Sequence, residues 1–288
     1  MDVQTVGIIG AGTMGAGIAQ TAVLSNHPVI LFDLTDALLQ KGCKRIQASI
    51  DIGVAREIID ASAAEQAKKH LTGTTKLEDL AAADLIIEAA PEEIALKQEL
   101  FAKLDEIAPT TTILASNTSS LSITALASAT KRPSQVIGLH FFNPAPRMRL
   151  VEVIRGDFTD DDTVKICQEF VAGLGKTAVL CQDTPGFIVN RVARPFYGEA
   201  YRLLGEKAAD IETIDALMQS IGFRMGPFEL IDLIGLDVNL ATTQSIYNAY
   251  FHEPKYRPHP IQRHMVESGQ LGRKSKKGFY KYPDKENK

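Results

Sequence analysis

The run VGIIGAGTMGAGIAQ, residues 6–20, decides how the rest of the chain is read. Its short apolar start, Val6–Ile9, leads into Gly10, Gly12 and Gly15, and a stretch with helical spacing follows. A strand, a tight turn and a helix in that order need a glycine at each of these places. Gly10 lets the chain turn, Gly12 lets the backbone approach a ligand, and Gly15 lets helix and strand touch. The first turn of such a helix, here with Thr13 and Met14, offers N–H groups and the positive end of the helix dipole to phosphates. By itself the glycine pattern is common. A second apolar run, VILFD at 29–33, ends in Asp33, eighteen residues beyond Gly15. A carboxylate there accepts hydrogen bonds from ribose hydroxyls and repels a 2′-phosphate, which favours NAD over NADP. The plainer alternative, a glycine turn with a surface aspartate, leaves this order of strand, turn, helix, strand and acid unexplained.

Outward from this unit, short apolar runs alternate with helical ones, the pattern of an α/β, Rossmann-like doubly wound sheet. Strands are expected at Thr5–Ile9, Val29–Phe32, Leu85–Ala89, Thr112–Ala115, Val136–Leu139, Val151–Ile154 and Thr177–Leu180. Helices are expected at Gly12–Leu24, Ala37–Ile52, Ala61–His70, Ile94–Ile107 and Thr163–Leu174, the second and third forming a helical hairpin. Near Asp183 the texture changes. Asp183 and Thr184 can cap a helix and Pro185 suits its first turn, and helical spacing then continues to about Glu267. The expected division is a dinucleotide-binding domain over 1–183 and an all-helical C-terminal domain over 184–288. The tail GRKSKKGFYKYPDKENK is read as a basic loop with a frayed end.

Composition narrows the possibilities. The chain has 288 residues, 23% charged, with a formal charge of −4, so it has no basic field for nucleic acid or an anionic membrane surface. Cys43, Cys167 and Cys181 are odd in number and far apart, which suits reduced thiols in a cytoplasmic setting and neither a disulfide framework nor a zinc site. No leader or membrane span is expected, and no metal.

Ligands of doubly wound sheets bind beyond the carboxyl ends of the strands. Those ends carry Glu88 to Glu92, then Ser116 to Ser120, then His140. Ser119 suits either a ligand-facing loop or an ordinary turn before a helix. In VIGLHFFNPAPRMRLVEV, 136–153, a hairpin centred on residue 146 sets His140 opposite Glu152. A carboxylate so placed fixes the imidazole tautomer, leaving the other nitrogen to exchange a proton with a hydroxyl. The alternative is a structural ion pair closing the hairpin. Asn190, in an apolar helical stretch, is either a satisfied buried amide or a site residue beside the domain boundary.

Taken together, GAGTMGAGIA, IIEAAPEE, ASNTSSLSI, GLHFFNPAPRMRLVEV, DTPGFIVNR, MGPFELIDLIGLD and LGRKSKKGFYKY resemble the L-3-hydroxyacyl-CoA dehydrogenase family, especially its short-chain bacterial 3-hydroxybutyryl-CoA members. The resemblance runs nearly end to end. It implies reversible NAD-dependent oxidation of an (S)-3-hydroxyacyl-CoA, with His140 as catalytic base, Glu152 as its partner, and Ser119 and Asn190 holding the substrate's 3-oxygen. It further implies cofactor contacts from Glu92, Lys97, Asn143 and Lys274, and CoA contacts from Ser49 and Arg56. A homodimer through the helical domain also follows from it. Arg147 stands where relatives often have valine, near the expected acyl pocket. Two rivals within this resemblance are a dehydrogenase of a free hydroxy acid, of the L-gulonate kind, and a crystallin-like protein that binds NAD without turnover.

Overall fold

The computed structural model of the chain describes residues 2–283. It divides into two compact units, one ending at Thr184 and the other starting at Pro185. The first unit is built on an eight-stranded sheet: β1 Val6–Ile9, β2 Val29–Phe32, β3 Leu71–Thr74, β4 Leu85–Glu88, β5 Ile113–Ser116, β6 Val136–Phe141, β7 Leu150–Arg155 and β8 Thr177–Gln182. Their order across the sheet is β3-β2-β1-β4-β5-β6-β7-β8. Every neighbouring pair is parallel except β6 and β7, which run antiparallel. The central strands β1, β4, β5 and β6 are buried at every residue. That is why they read as unbroken apolar runs: helices cover both faces of a parallel sheet. Those helices are α1 Thr13–Leu24, α2 Asp36–Ala55, α3 Ala61–Lys69, α4 Ile94–Ile107, α5 Ile123–Ala127 and α6 Asp161–Gly173.

Three departures from the sequence-based expectation have local causes. Strand β3 was not expected. It has the sequence LTGT with two exposed residues and a glycine, and it joins the sheet only as an edge beside β2. Helix α5 was also unexpected. It is five residues long, too short for a period to register, and it is started by the Ser122 hydroxyl accepting from the Ala125 amide at 3.1 Å. Strand β6 continues two residues past Leu139, because pairing with β7 carries it through His140 and Phe141.

The second unit comprises α7 Val189–Gly205, α8 Ile211–Ser220, α9 Pro227–Ile234, α10 Leu236–Ala249 and α11 Pro260–Glu267. Tyr197, Tyr201, Ile214, Phe228, Ile231 and Leu236 form its buried core. The basic tail, expected to be a loop, is held in place: the buried Asp232 carboxylate accepts from the Phe279 and Tyr280 amides and the Tyr282 hydroxyl at 2.9–3.0 Å. The expected frayed end falls on residues 284–288, outside the described residues. Among the described residues, no helix is long and apolar enough to cross a membrane.

Candidate active site

The glycine turn follows β1. Gly10 has φ +93°, a left-handed conformation that favours glycine, and a Cβ there would meet the Ala89 carbonyl oxygen at 2.8 Å. A Cβ on Gly15 would lie 1.8 Å from the Gly10 carbonyl oxygen, so this glycine is required by the contact of helix and turn. Gly12 differs: nothing lies within 4 Å of the position a Cβ would take. Helix α1 begins there with no side chain capping it, Thr13 is exposed, and Met14 packs on the core. Beside the turn, the Asp33 carboxylate at the end of β2 accepts from the Ala11 amide and from the Leu34 amide, each at 2.7 Å. An open cradle at a helix N-terminus with a fixed carboxylate alongside fits a dinucleotide's pyrophosphate and ribose.

At the ends of β4 and β5 lies a buried polar network that the sequence did not disclose. Lys97, 1% exposed on α4, donates to Glu88 at 2.5 Å and to the Ala90 carbonyl at 3.2 Å. Glu88 also accepts from the Ser116 hydroxyl at 2.6 Å. The second carboxylate near Lys97 is that of Glu92, at 3.5 Å. Its Oε1 accepts from the Thr118 hydroxyl at 2.6 Å and from the Ser119 amide and hydroxyl at 2.9 and 3.2 Å. Burial pushes the Glu92 carboxyl up, but the Lys97 charge and the bonds from Thr118 and Ser119 outweigh it and hold the group below the ordinary value. Ser119 is thereby fixed by Glu92 at the carboxyl end of the sheet. One signal for Glu88 was available, an acid closing the apolar run DLII.

His140 and Glu152 are directly paired across β6 and β7, the register obtained by counting from residue 146. The imidazole Nδ1 lies 2.7 Å from Glu152 Oε2, with His140 6% and Glu152 1% exposed. The neighbouring backbone is pinned by Asn117, whose side-chain oxygen accepts from the Phe141 amide at 2.9 Å. The Phe142 ring lies against the imidazole, with centroids 4.5 Å apart. Since β1, β4, β5 and β6 are adjacent and parallel, Gly10–Gly15, Glu92, Lys97, Ser119 and His140 share one edge of the sheet. Glu152 reaches the same edge because β7 runs the other way.

The other expected site residues come from further segments of the chain. Asn143 is exposed in the loop after β6, as are Arg147 and Arg149. That loop is held by Lys176, which donates to the Ala145 and Met148 carbonyls at 2.6 and 2.7 Å. Ser49 is half-buried on α2 and Arg56 is exposed at its C-cap. Seven residues apart, they fall on one face of the helix. In the second unit, Asn190 occupies the first turn of α7, and its side-chain oxygen accepts from buried Arg194 at 3.3 Å. Lys274 is paired with Asp237 at 2.5 Å.

Residues 5–184 match the 3-hydroxyacyl-CoA dehydrogenase NAD binding domain, and residues 186–282 match the C-terminal domain of the same family. The chain is 49% identical over 281 residues to 3-hydroxyadipyl-CoA dehydrogenase of Escherichia coli, a match covering 97% of this chain and 59% of that longer protein. It is 43% identical to 3-hydroxybutyryl-CoA dehydrogenase of Bradyrhizobium diazoefficiens, over 97% of this chain and 96% of the relative. The crystal structure of (S)-3-hydroxybutyryl-CoA dehydrogenase from Ralstonia eutropha superposes with a TM-score of 0.93 at 42% identity, covering 98% of this chain and all of that one. With both of its domains matched in order, the chain belongs to the 3-hydroxyacyl-CoA dehydrogenase family, and its first unit is the family's NAD-binding domain.

Proposed function

We propose that the chain catalyses reversible NAD-dependent oxidation of (S)-3-hydroxyacyl-CoA, of short chain such as 3-hydroxybutyryl-CoA, to the 3-oxoacyl-CoA. The observation that carries this reading is the His140–Glu152 pair at 2.7 Å, on the same sheet edge as the glycine turn. Bound NAD supplies the hydride acceptor. In the oxidative direction His140 takes the proton of the 3-hydroxyl, and the carboxylate on its Nδ1 side stabilises the imidazolium that results. In reduction His140 returns that proton. Ser119, fixed by Glu92, orients the substrate oxygen. Asn190, Asn143 and Lys274 are assigned to substrate or cofactor on the family resemblance alone, and so are Ser49 and Arg56 to the CoA moiety. A homodimer through the second unit belongs to the same reading; Leu217, Ile221 and Val238 expose apolar side chains there. The three free thiols suit a reducing, cytoplasmic setting.

The test is NADH oxidation by the purified chain with acetoacetyl-CoA, 3-oxoadipyl-CoA and free 3-oxo acids, repeated with NADPH. Turnover of a CoA thioester with NADH supports the proposal. Turnover confined to free acids, or NADH binding with no turnover, overturns it. The ratio of acetoacetyl-CoA to 3-oxoadipyl-CoA activity decides between the substrates for which the two quoted relatives are named.

A further inference from the structure

The second unit contains a small, partly open cavity of about 10 Å³, room for a single small occupant. Arg194, Tyr201, Asn239, Lys255, Arg257 and His259 contribute to its wall, and no aspartate or glutamate does. Arg194 is 5% exposed, and all its hydrogen-bond acceptors are uncharged: the Asn190 carbonyl and side-chain oxygens at 3.2 and 3.3 Å, the Asn239 carbonyl at 3.1 Å and the Thr243 hydroxyl at 3.0 Å. Burial lowers its pKa to about 10, which leaves it a cation at neutral pH. Tyr201 and Asn239 are 2% and 1% exposed, and neither the Tyr201 hydroxyl nor the Asn239 amide nitrogen has a hydrogen-bond partner. The Asn239 amide is oriented by Gln262, which donates to its side-chain oxygen at 2.7 Å, so the atom left over is the donor.

A buried donor without an acceptor is costly, and a buried cation without a counter-charge is more so. The two occur together at one cavity here. A water molecule there could accept from two of the donors, but its own hydrogens would then need acceptors. The nearby Asn239 carbonyl already takes hydrogen bonds from Arg194 and Thr243. An anion accepts from every donor and neutralises the guanidinium as well. We propose that this cavity binds a small monovalent inorganic anion of halide size, held by Arg194, the Tyr201 hydroxyl and the Asn239 amide. Arg194 also donates to Asn190 in the first turn of α7. The anion therefore anchors the guanidinium that orients that amide.

The test uses the full chain. Crystals soaked in bromide are examined by anomalous scattering, and thermal unfolding is followed in chloride and in gluconate at equal ionic strength. The expected results are a bromide peak in the cavity and a midpoint a few degrees higher in chloride, rising with its concentration as for a ligand of the folded state. Asn239→Asp, which supplies a carboxylate beside Arg194, should lose both the peak and the chloride dependence. Arg194→Met should do the same, and if it fails to fold the aspartate variant still decides. A cavity holding only water in bromide, or a chloride effect unchanged in Asn239→Asp, overturns the proposal.

Discussion

At the scale of single residues, the proposed chemistry depends on which way an imidazole is turned. The hydrogen bond to Glu152 occupies His140 Nδ1 at 2.7 Å and so directs Nε2 to the other side of the ring. Glu152→Gln keeps the shape and one hydrogen bond but removes the charge that stabilises the imidazolium. Turnover should fall roughly a hundredfold or more, within the range that positioned acid–base groups contribute. NADH affinity, measured by fluorescence titration, should change little, and near-normal turnover would remove Glu152 from the mechanism. This pair was legible in the sequence because a short hairpin has a countable midpoint. Lys97 was legible only through family resemblance. What encloses it, Glu88 from β4 and Glu92 from the following loop, comes from separate segments whose contact no spacing rule supplies. Arg194 could have been found by noticing an arginine one helical turn after Asn190 in an otherwise apolar stretch.

At the scale of elements, the strand–turn–helix unit separates glycines needed for folding from the one left for a ligand. Gly15→Ala places a methyl group 1.8 Å from the Gly10 carbonyl oxygen. The turn and α1 cannot then keep their contact, and the expected outcome is loss of soluble, folded protein. At Gly12 a methyl group meets nothing within 4 Å, and its φ of −66° is open to alanine. Gly12→Ala should keep a near-native melting temperature while NADH binding weakens about tenfold or more, which corresponds to about 1.4 kcal/mol. If the variant binds NADH normally, the cradle is misplaced. The elements hardest to read were the least periodic. Strand β3 has four residues and an exposed middle, and α5 has a single turn and little more. Each is held by its neighbours more than by its own pattern.

At the scale of the whole molecule, each unit has its own buried core, and each carries carboxyls held below their ordinary values. Hydrogen bonds from Ser62 and Ala63 lower Asp60, and those from Thr213 lower Asp210. In Glu92 and Asp237 burial pushes upward, but Lys97 and Lys274 with their hydrogen-bond partners outweigh it. At these four groups the folded chain binds fewer protons than the unfolded chain in the acid range, while Asp215, whose carboxyl burial pushes up, acts in the opposite sense. The stability these groups contribute is full above about pH 4.5 and is lost as pH falls through the lower folded values. Melting curves from pH 6 down to pH 3 should show a falling midpoint, with a shallower fall in Asp210→Asn; a midpoint that rises on acidification contradicts the assignment. Local patterns along the chain specify the doubly wound sheet, the glycine turn with Asp33, the change to helices near Asp183 and the pairing of His140 with Glu152. These rest on local periodicity, on glycine's conformational freedom and on short-range counting, all of which are written along the chain. Folding is what brings Glu88, Lys97, Glu92 and Ser119 into one network and sets Arg194, Tyr201 and Asn239 around one cavity. Those groups come from separate elements, and their energies depend on burial and on the atoms opposite them, neither of which is a property of sequence neighbours.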